Sequence, residues 1–169
     1  LKAWKLPPAK EQILILGAEI VATILCEGKS SLIVKELREE KRIIESIDID
    51  LQILEEGGLI LLDVSCPEEN LKIVESDLNN ILKALTRDLV NDKDLERAKK
   101  LVINNIYFSL ELSSQIASTL GNQALWGRHN SILKSIDDIS YWTTKRLNEL
   151  IFPLFDPENA FTLIAEPEK

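Results

Sequence analysis

The chain has 169 residues, of which 45% are hydrophobic and 28% charged, and its formal net charge is -8. This length and composition fit one soluble globular domain with a substantial core and exclude a disordered chain. The apolar runs are far too short to span a bilayer, and Lys and Arg nowhere cluster without acids, so neither membrane nor nucleic acid is an expected partner.

The start of the chain and its cysteines bear on its origin and its compartment. The sequence contains no Met and begins at Leu1, inside a segment with strand character. We therefore expect residues 1–169 to be a single domain from a longer chain. Cys26 and Cys66 lack CxxC spacing and lie among apolar residues, which predicts buried free thiols. Free thiols and the lack of a signal peptide predict a soluble, cytoplasmic protein.

The first part of the chain predicts one strand and two helices. Lys2–Leu6 is expected to be a short strand ended by the following pair of prolines, since proline fixes φ and restricts the residue before it. Apolar residues at helical spacing predict a helix from about Lys10 to Glu27, with Gly28 as its C-cap. Ser30 or the next serine is expected to cap a second helix, Ser31–Lys41.

The next part predicts a long β-hairpin. Ile47–Ile53 alternates apolar and polar residues without a break, as a half-buried strand does. Glu55–Gly58 predicts a turn, and Leu59–Ser65 predicts the returning antiparallel strand. Asp48 and Asp50 are expected on a solvated face of the sheet, or in a cavity if that face is covered.

Helical spacing dominates the rest of the chain. An early proline, an Asn three residues before an Asp, and a weak capping box mark helix starts. The predicted elements are a third helix from Pro67 to Leu89, a fourth from Asn91 to Leu110, a fifth from Ser113 or Ser114, a sixth from Ser135 to Leu150, and a last strand Ala160–Ala165. The fold class is therefore α+β, with two layers: an antiparallel sheet of about four strands, covered on one face by about six helices.

Sequence motifs for catalysis or cofactor binding are absent. His129 is the only histidine, whereas catalytic zinc needs about three protein ligands, so we expect His129 in a loop and no metal site. Gly28–Ser30 resembles the end of a phosphate-binding loop, but Thr23 stands where that motif requires glycine. Cys26 lies on an apolar helix face, which favours a buried thiol over a nucleophile. The residues alone thus predict no catalytic group and no cofactor in this chain.

The corner between the first two helices carries a family resemblance. Trp4-x-x-Pro7, then Leu25-x-x-Gly28-x-Ser30-Ser31-Leu32, and then Leu37-Arg38-Glu39-Glu40-Lys41 stand in an order similar to that of one domain in the pitrilysin/insulinase/mitochondrial-processing-peptidase family of zinc peptidases. That domain is the C-terminal half, which carries no zinc site. The hairpin and the segments Asp94–Lys99, Ser135–Ile139 and Asp156–Ala160 follow in the family's order.

The resemblance implies a domain that closes with a similar, zinc-bearing domain or subunit around an unfolded peptide. Zinc is expected only in that catalytic partner, where it activates water, and the peptide tends to add as a strand to a sheet edge. The non-catalytic half often presents an Arg, and a Tyr seven residues later, to the substrate backbone. Arg38 matches the Arg, but Glu45 stands at the Tyr position, and an ionised Glu can only accept hydrogen bonds. Arg38 has an alternative interpretation as the ion-pair partner of acids near Glu39 or of Glu45.

These expectations leave two main hypotheses. The chain is the C-terminal, zinc-free domain of a processing-type zinc metalloendopeptidase, and it helps to enclose and bind extended peptide through Arg38 and Glu45. Alternatively, it belongs to a non-catalytic partner subunit of a heteromeric peptidase of the same family, which the departure at Glu45 favours. A third hypothesis is a helix-flanked binding module unrelated to proteolysis.

Overall fold

The structure is a computed structural model that describes residues 1–85, 90–127 and 133–166. Within these ranges, helices pack against a single four-stranded sheet. In chain order the elements are β1 Lys2–Leu6, α1 Gln12–Cys26, the π-helix Val34–Glu40, β2 Ser46–Ile53, β3 Gly58–Ser65, α2 Leu71–Ala84, α3 Asp92–Ser109, α4 Ser113–Leu125, α5 Lys134–Ile139, α6 Thr144–Leu150 and β4 Phe161–Thr162.

The sheet has the strand order β2-β3-β1-β4, and every pairing is antiparallel. Trp4 of β1 stands opposite Ile60 of β3, which stands opposite Leu51 of β2. Because side chains alternate between the two faces, these three residues share one face. The predicted α+β class and the predicted hairpin are therefore confirmed.

The core lies between this face of the sheet and the helices. Ile20, Ile24 and Leu25 of α1 are fully buried there, and each such side chain contributes roughly 1.5–3 kcal/mol by leaving water. The indole N–H of Trp4 donates to the carbonyl of Asp156 at 2.8 Å, which ties the sheet to the C-terminal segment. On the opposite face, side chains such as that of Lys5 are exposed.

A close contact between α1 and the C-terminal helices depends on Gly17. A β-carbon at this position would overlap the ring of Trp142 and the side chain of Ile151. Glycine in a helix interior costs about 1 kcal/mol relative to alanine. Here it lets the fully buried Trp142 lie directly against the helix backbone.

The predicted sixth helix is wrong as a single element, because the segment forms two short helices, α5 and α6. The Ser140 hydroxyl donates to the carbonyl of Asp137 at the end of α5. Thr143 then accepts from the N–H of Arg146 and caps α6. The predicted cap at Ser135 is also wrong, because α5 begins at Lys134 and Ser135 lies within it. Between the two helices, Trp142 enters the core and is fully buried.

Other boundaries differ less from the predictions. The last strand is shorter than predicted, because β1 pairs with it only through Lys2 and Ala3. The predicted cap at Asn91 is confirmed, since its side chain accepts from the Asp94 N–H at 2.9 Å. The predicted helix end at Leu89 and the predicted loop position of His129 lie outside the described residues. Across the described ranges, no helix is both long and apolar enough to cross a membrane.

Candidate functional site

The corner after α1 is a tight turn. Gly28 has φ +85°, the left-handed conformation that ends many helices, and this confirms its predicted role. The hydroxyl and the N–H of Ser31 both donate to the carbonyl of Gly28, at 2.7 and 3.1 Å. From α3, Arg97 donates to the carbonyl of Glu27 at 2.9 Å. Ser31 is thus used within the turn, and the corner is fixed from both sides.

The helix that carries Arg38 is wider than predicted. Seven residues, Val34–Glu40, form a π-helix where an α-helix was expected. The N–H of Lys41 donates to the carbonyl of Glu36 at 2.9 Å, a spacing of five residues. Such wide turns are rare and occur frequently at functional sites. The π-helix alters the direction in which Arg38 leaves the backbone relative to a regular α-helix.

The guanidinium of Arg38 is held by its chain neighbour. Its Nε donates to Glu39 Oε1 at 3.1 Å, and Nη2 lies 3.1 Å from the same oxygen. Both side chains are more than one third exposed. An exposed pair of this kind contributes only about 0–1 kcal/mol. Arg38 can therefore exchange Glu39 for another hydrogen-bond acceptor at little cost.

The chain reverses between the π-helix and β2. Arg42 has φ +55°, an uncommon conformation for a residue with a side chain. Lys41 anchors the reversal, since its ammonium contacts Glu36 at 2.7 Å and Asp77 of α2 at 2.8 Å. The hydrogen bond to Asp77 and then that to Glu36 raise the pKa of Lys41. This fixed reversal sets the position of Glu45, which immediately precedes β2.

Glu45 lies beside the end of β3. Its N–H donates to the carbonyl of Ser65 at 2.8 Å, and its carboxylate accepts from the Ser65 hydroxyl at 3.3 Å. No hydrogen bond or ion pair joins Arg38 to Glu45 in the described structure. Of the two ion-pair alternatives for Arg38, the structure therefore contains the one with Glu39. Arg38 and Glu45 remain separate groups on either side of the reversal.

The cysteines are free and half-buried. Burial raises the pKa of the Cys26 thiol, and the nearby charge of Asp48 raises it further. Burial, with smaller effects from Glu45 and Glu69, also raises the pKa of Cys66. A raised pKa keeps a thiol protonated and weakly reactive. Neither residue has the properties of a nucleophile.

The described residues do not fit a zinc site. They contain no group of three or more His, Cys, Asp or Glu side chains arranged to hold a metal ion. Zinc needs about three or four such ligands within bonding distance. No step of metal chemistry is therefore assigned to this chain.

The sequence prediction missed Glu19, which lies near the middle of α1. It lines a cavity of about 490 Å³ between α1 and β2, which we call the α1–β2 groove. Burial, and then the charge of Glu27, raise the pKa of Glu19 to about 7. The sequence contained one signal for Glu19: it is the only charged residue in α1.

Comparison with known proteins places the fold and the corner in one family. The sequence model described as the peptidase M16 inactive domain matches residues 2–102, which include Arg38 and Glu45. The chain is 24% identical over 147 residues to the uncharacterized zinc protease YmxG of Bacillus subtilis (strain 168), covering 86% of this chain and 36% of that protein.

Solved structures share the fold at low sequence identity. An inactive peptidase domain from Bordetella parapertussis has a TM-score of 0.80 and 15% identity, covering 99% of this chain and 91% of that chain. A protease from Helicobacter pylori has a TM-score of 0.79 and 17% identity, covering 94% of this chain and 38% of that one.

These matches confirm the predicted resemblance to the non-catalytic domain of a zinc-peptidase family. The chain spans only about a third of the length of the curated relatives it matches, 36% of one and 30% of another. Since the matched segment covers more than half of the sequence, the chain belongs to the peptidase M16 inactive-domain family.

Proposed function

We propose that this chain is the C-terminal, zinc-free domain of a longer processing-type zinc metalloendopeptidase, in which it helps to enclose and bind extended peptide substrate. Relatives about three times its length are named zinc proteases, which supports a second, zinc-bearing domain beside this one. The proposal assigns zinc and the hydrolytic step to that domain. This chain contributes binding and orientation of the peptide.

The observation that carries the proposal is the weakly held Arg38 on the π-helix. Its guanidinium is partly exposed and its recorded partner is the exposed Glu39. Donors of this kind bind peptide carbonyls well, because a charge-assisted hydrogen bond contributes about 1.5–3 kcal/mol. Glu45 cannot donate to a carbonyl when ionised. We assign it to substrate groups that donate, such as peptide N–H groups or basic side chains.

Separating the domains tests this proposal. The 169-residue chain and the zinc-bearing remainder of its parent would be purified apart, and peptide cleavage measured for each alone and for their mixture. We expect cleavage to require the mixture, because the peptide must be enclosed from both sides. Full cleavage by the remainder alone, unchanged when this chain is added, would contradict the proposal.

A non-catalytic partner subunit is the alternative, and Glu45 in place of Tyr favours it. In that case the intact parent also lacks a zinc site and acts only with a separate catalytic chain. The intact parent would be assayed alone with added zinc. Robust cleavage by the lone parent excludes this alternative, whereas cleavage only after addition of a catalytic subunit supports it.

The cellular location predicted from the sequence is the same whether the chain is a domain of the peptidase or part of a partner subunit. Cys26 and Cys66 are both free thiols, as expected in a reducing compartment. We therefore propose a soluble, cytoplasmic protein. Its partners are the catalytic domain or subunit and an unfolded peptide.

A further inference from the structure

A cavity lies at one end of the sheet, between the starts and ends of its strands and α2. Its volume is about 290 Å³, close to the roughly 300 Å³ at which small-molecule sites begin. Residues of β1, β3 and β4 line it on the sheet side, and one face of α2 lines it opposite, through Leu71, Val74 and Leu78. We call this cavity the α2–β4 pocket. Most of its lining residues are apolar, so it suits an apolar group.

Lys2 brings a positive charge to this apolar pocket. It stands two residues before Trp4, so its side chain faces the same side of the sheet as the core. Lys2 lines the pocket and is only 5% exposed. Lysine is almost never buried to this degree unless it is paired. A buried ammonium without a charged partner is costly, because it loses hydration that nothing replaces.

The hydrogen bond that the ammonium makes within the described residues is to a neutral group. Lys2 Nζ donates to the Thr162 hydroxyl at 3.0 Å, which uses one of the donors that an ammonium carries. No ion pair joins Lys2 to an acid in the described part of the chain. Glu75 also lines the pocket, but it is half-exposed. Asp63 is exposed, and it follows Leu62 in β3 and so faces the other side of the sheet.

We propose that the α2–β4 pocket binds a small monocarboxylic acid with an unbranched apolar tail. The carboxylate pairs with the Lys2 ammonium, and the tail packs against Leu71, Val74 and Leu78 of α2. A carboxylate supplies the charged acceptor that Lys2 lacks, and hydrogen bonds between two charged groups are about twice as strong as neutral ones. This inference goes beyond the proposed function and does not rest on it, because binding of the acid requires neither peptide nor zinc.

The pocket borders the candidate corner but is a separate site. Ser65 belongs to its lining, and the same residue contacts Glu45 through its carbonyl and its hydroxyl. Neither Arg38 nor Glu45 is among the lining residues. Variants at the pocket and variants at the corner can therefore be tested independently.

The test compares three probes by NMR titration of the 169-residue chain. Octanoate has both the carboxylate and the tail, 1-octanol has the tail without the carboxylate, and acetate has the carboxylate without the tail. Isolated domains of this fold are stable enough to crystallise, as the Bordetella parapertussis structure shows, since this chain covers 91% of it.

The chain would be acetylated at its N-terminus for these titrations. Leu1 also lines the pocket, and its terminal nitrogen donates to the Leu163 carbonyl at 2.9 Å. Acetylation keeps an N–H donor for this hydrogen bond and removes the positive charge. Lys2 is then the cation that distinguishes the probes.

We expect octanoate to bind about tenfold more tightly than 1-octanol, as one charge-assisted hydrogen bond can give. Acetate should bind far more weakly than octanoate, because it buries no tail. Equal affinity for octanoate and 1-octanol would overturn the role of Lys2. Acetate binding as tight as that of octanoate would overturn the assignment of an apolar tail.

Two lysines of β1 provide a matched pair of variants. Lys2→Met keeps the apolar stem and removes the charge, so it should bind octanoate no more tightly than 1-octanol. Lys5→Met changes an exposed lysine on the opposite face of the same strand and should retain the preference. Thermal melting checks the fold of both variants. A preference for octanoate that survives in Lys2→Met would overturn the inference.

The location of the ligand is tested without any variant. Cys66 lines the α2–β4 pocket, whereas Cys26 lines the α1–β2 groove. The alkylation of both thiols by iodoacetamide would be followed by mass spectrometry with and without octanoate. We expect octanoate to slow the alkylation of Cys66 several-fold and to leave that of Cys26 unchanged. Equal effects on the two thiols, or none on Cys66, would overturn the assignment to this pocket. Either failure is distinguishable from failure of the proposed function, since the mixing experiment contains no added acid.

Discussion

Arg38 pairs with its chain neighbour Glu39, and no hydrogen bond or ion pair in the described part of the chain joins it to Glu45. Both partners are exposed enough for water to compete with the pair. The corner therefore presents a guanidinium that is positioned by the π-helix backbone and is only weakly held by a side chain. The pair therefore contributes little to the stability of the fold and leaves the guanidinium accessible to another acceptor.

The first prediction follows for Glu39→Gln. We expect the free energy of unfolding to change by less than about 1 kcal/mol, because exposed ion pairs contribute little. Urea denaturation of the 169-residue chain measures this change. A loss of several kcal/mol would indicate that the Arg38–Glu39 pair is a structural element of the corner.

The second prediction concerns Glu19 and pH. The pKa of Glu19 rises from 4.5 to about 7 on folding, so the folded state binds more protons than the unfolded state between these values. The free energy of unfolding therefore falls as the pH rises from about 4.5 to about 7, and it remains lower above that range. After allowance for the partly exposed side chain, we expect a loss of about 1–3 kcal/mol.

Glu19→Gln should abolish this loss. The variant should be more stable than the parent chain at pH 8 and nearly equal to it at pH 4.5, as thermal unfolding at the two pH values would measure. Glu56→Gln serves as the matched control and should leave the pH profile unchanged. A profile for Glu19→Gln that follows the parent chain would show that another group carries the pH dependence.

The third prediction compares two helical glycines. Gly17→Ala should destabilise the chain by about 1–3 kcal/mol, because its β-carbon would overlap Trp142 and force the packing apart. Gly121→Ala in α4 meets no atom within 4 Å, so it should stabilise by roughly 0.5–1 kcal/mol through helix propensity. Denaturant unfolding of both variants tests the pair. Stabilisation by both changes would mean that the contact of Trp142 with α1 is looser than described.

The hairpin could be predicted from the sequence because period-two alternation is a local signal. Ile47–Ile53 shows it directly, and the structure adds only one residue at the start of β2. The π-helix could not be predicted. Backbone hydrogen bonds between residues five apart, as in a π-helix, and four apart, as in an α-helix, occur in segments with the same kinds of side chain. The break before α6 was missed for a different reason. It depends on Trp142 entering the core, which is a tertiary contact.

The candidate site was predictable only in part. The family resemblance pointed to Arg38 and Glu45, and both lie at the ends of one backbone reversal around Arg42. Glu19 acquires its raised pKa only when α1 packs beside β2. No spacing in the sequence specifies that packing, although a lone acid in an apolar helix was visible.

The most direct measurement is kcat/KM for peptide cleavage by the longer protein carrying Arg38→Ala, with Lys35→Ala on the same π-helix as the control. We predict a roughly ten- to hundredfold loss for Arg38→Ala, the value of one charge-assisted hydrogen bond to substrate, with an unchanged melting temperature. Lys35→Ala should leave both quantities unchanged. Full cleavage by Arg38→Ala, together with a lowered melting temperature, would contradict the account and make the corner purely structural.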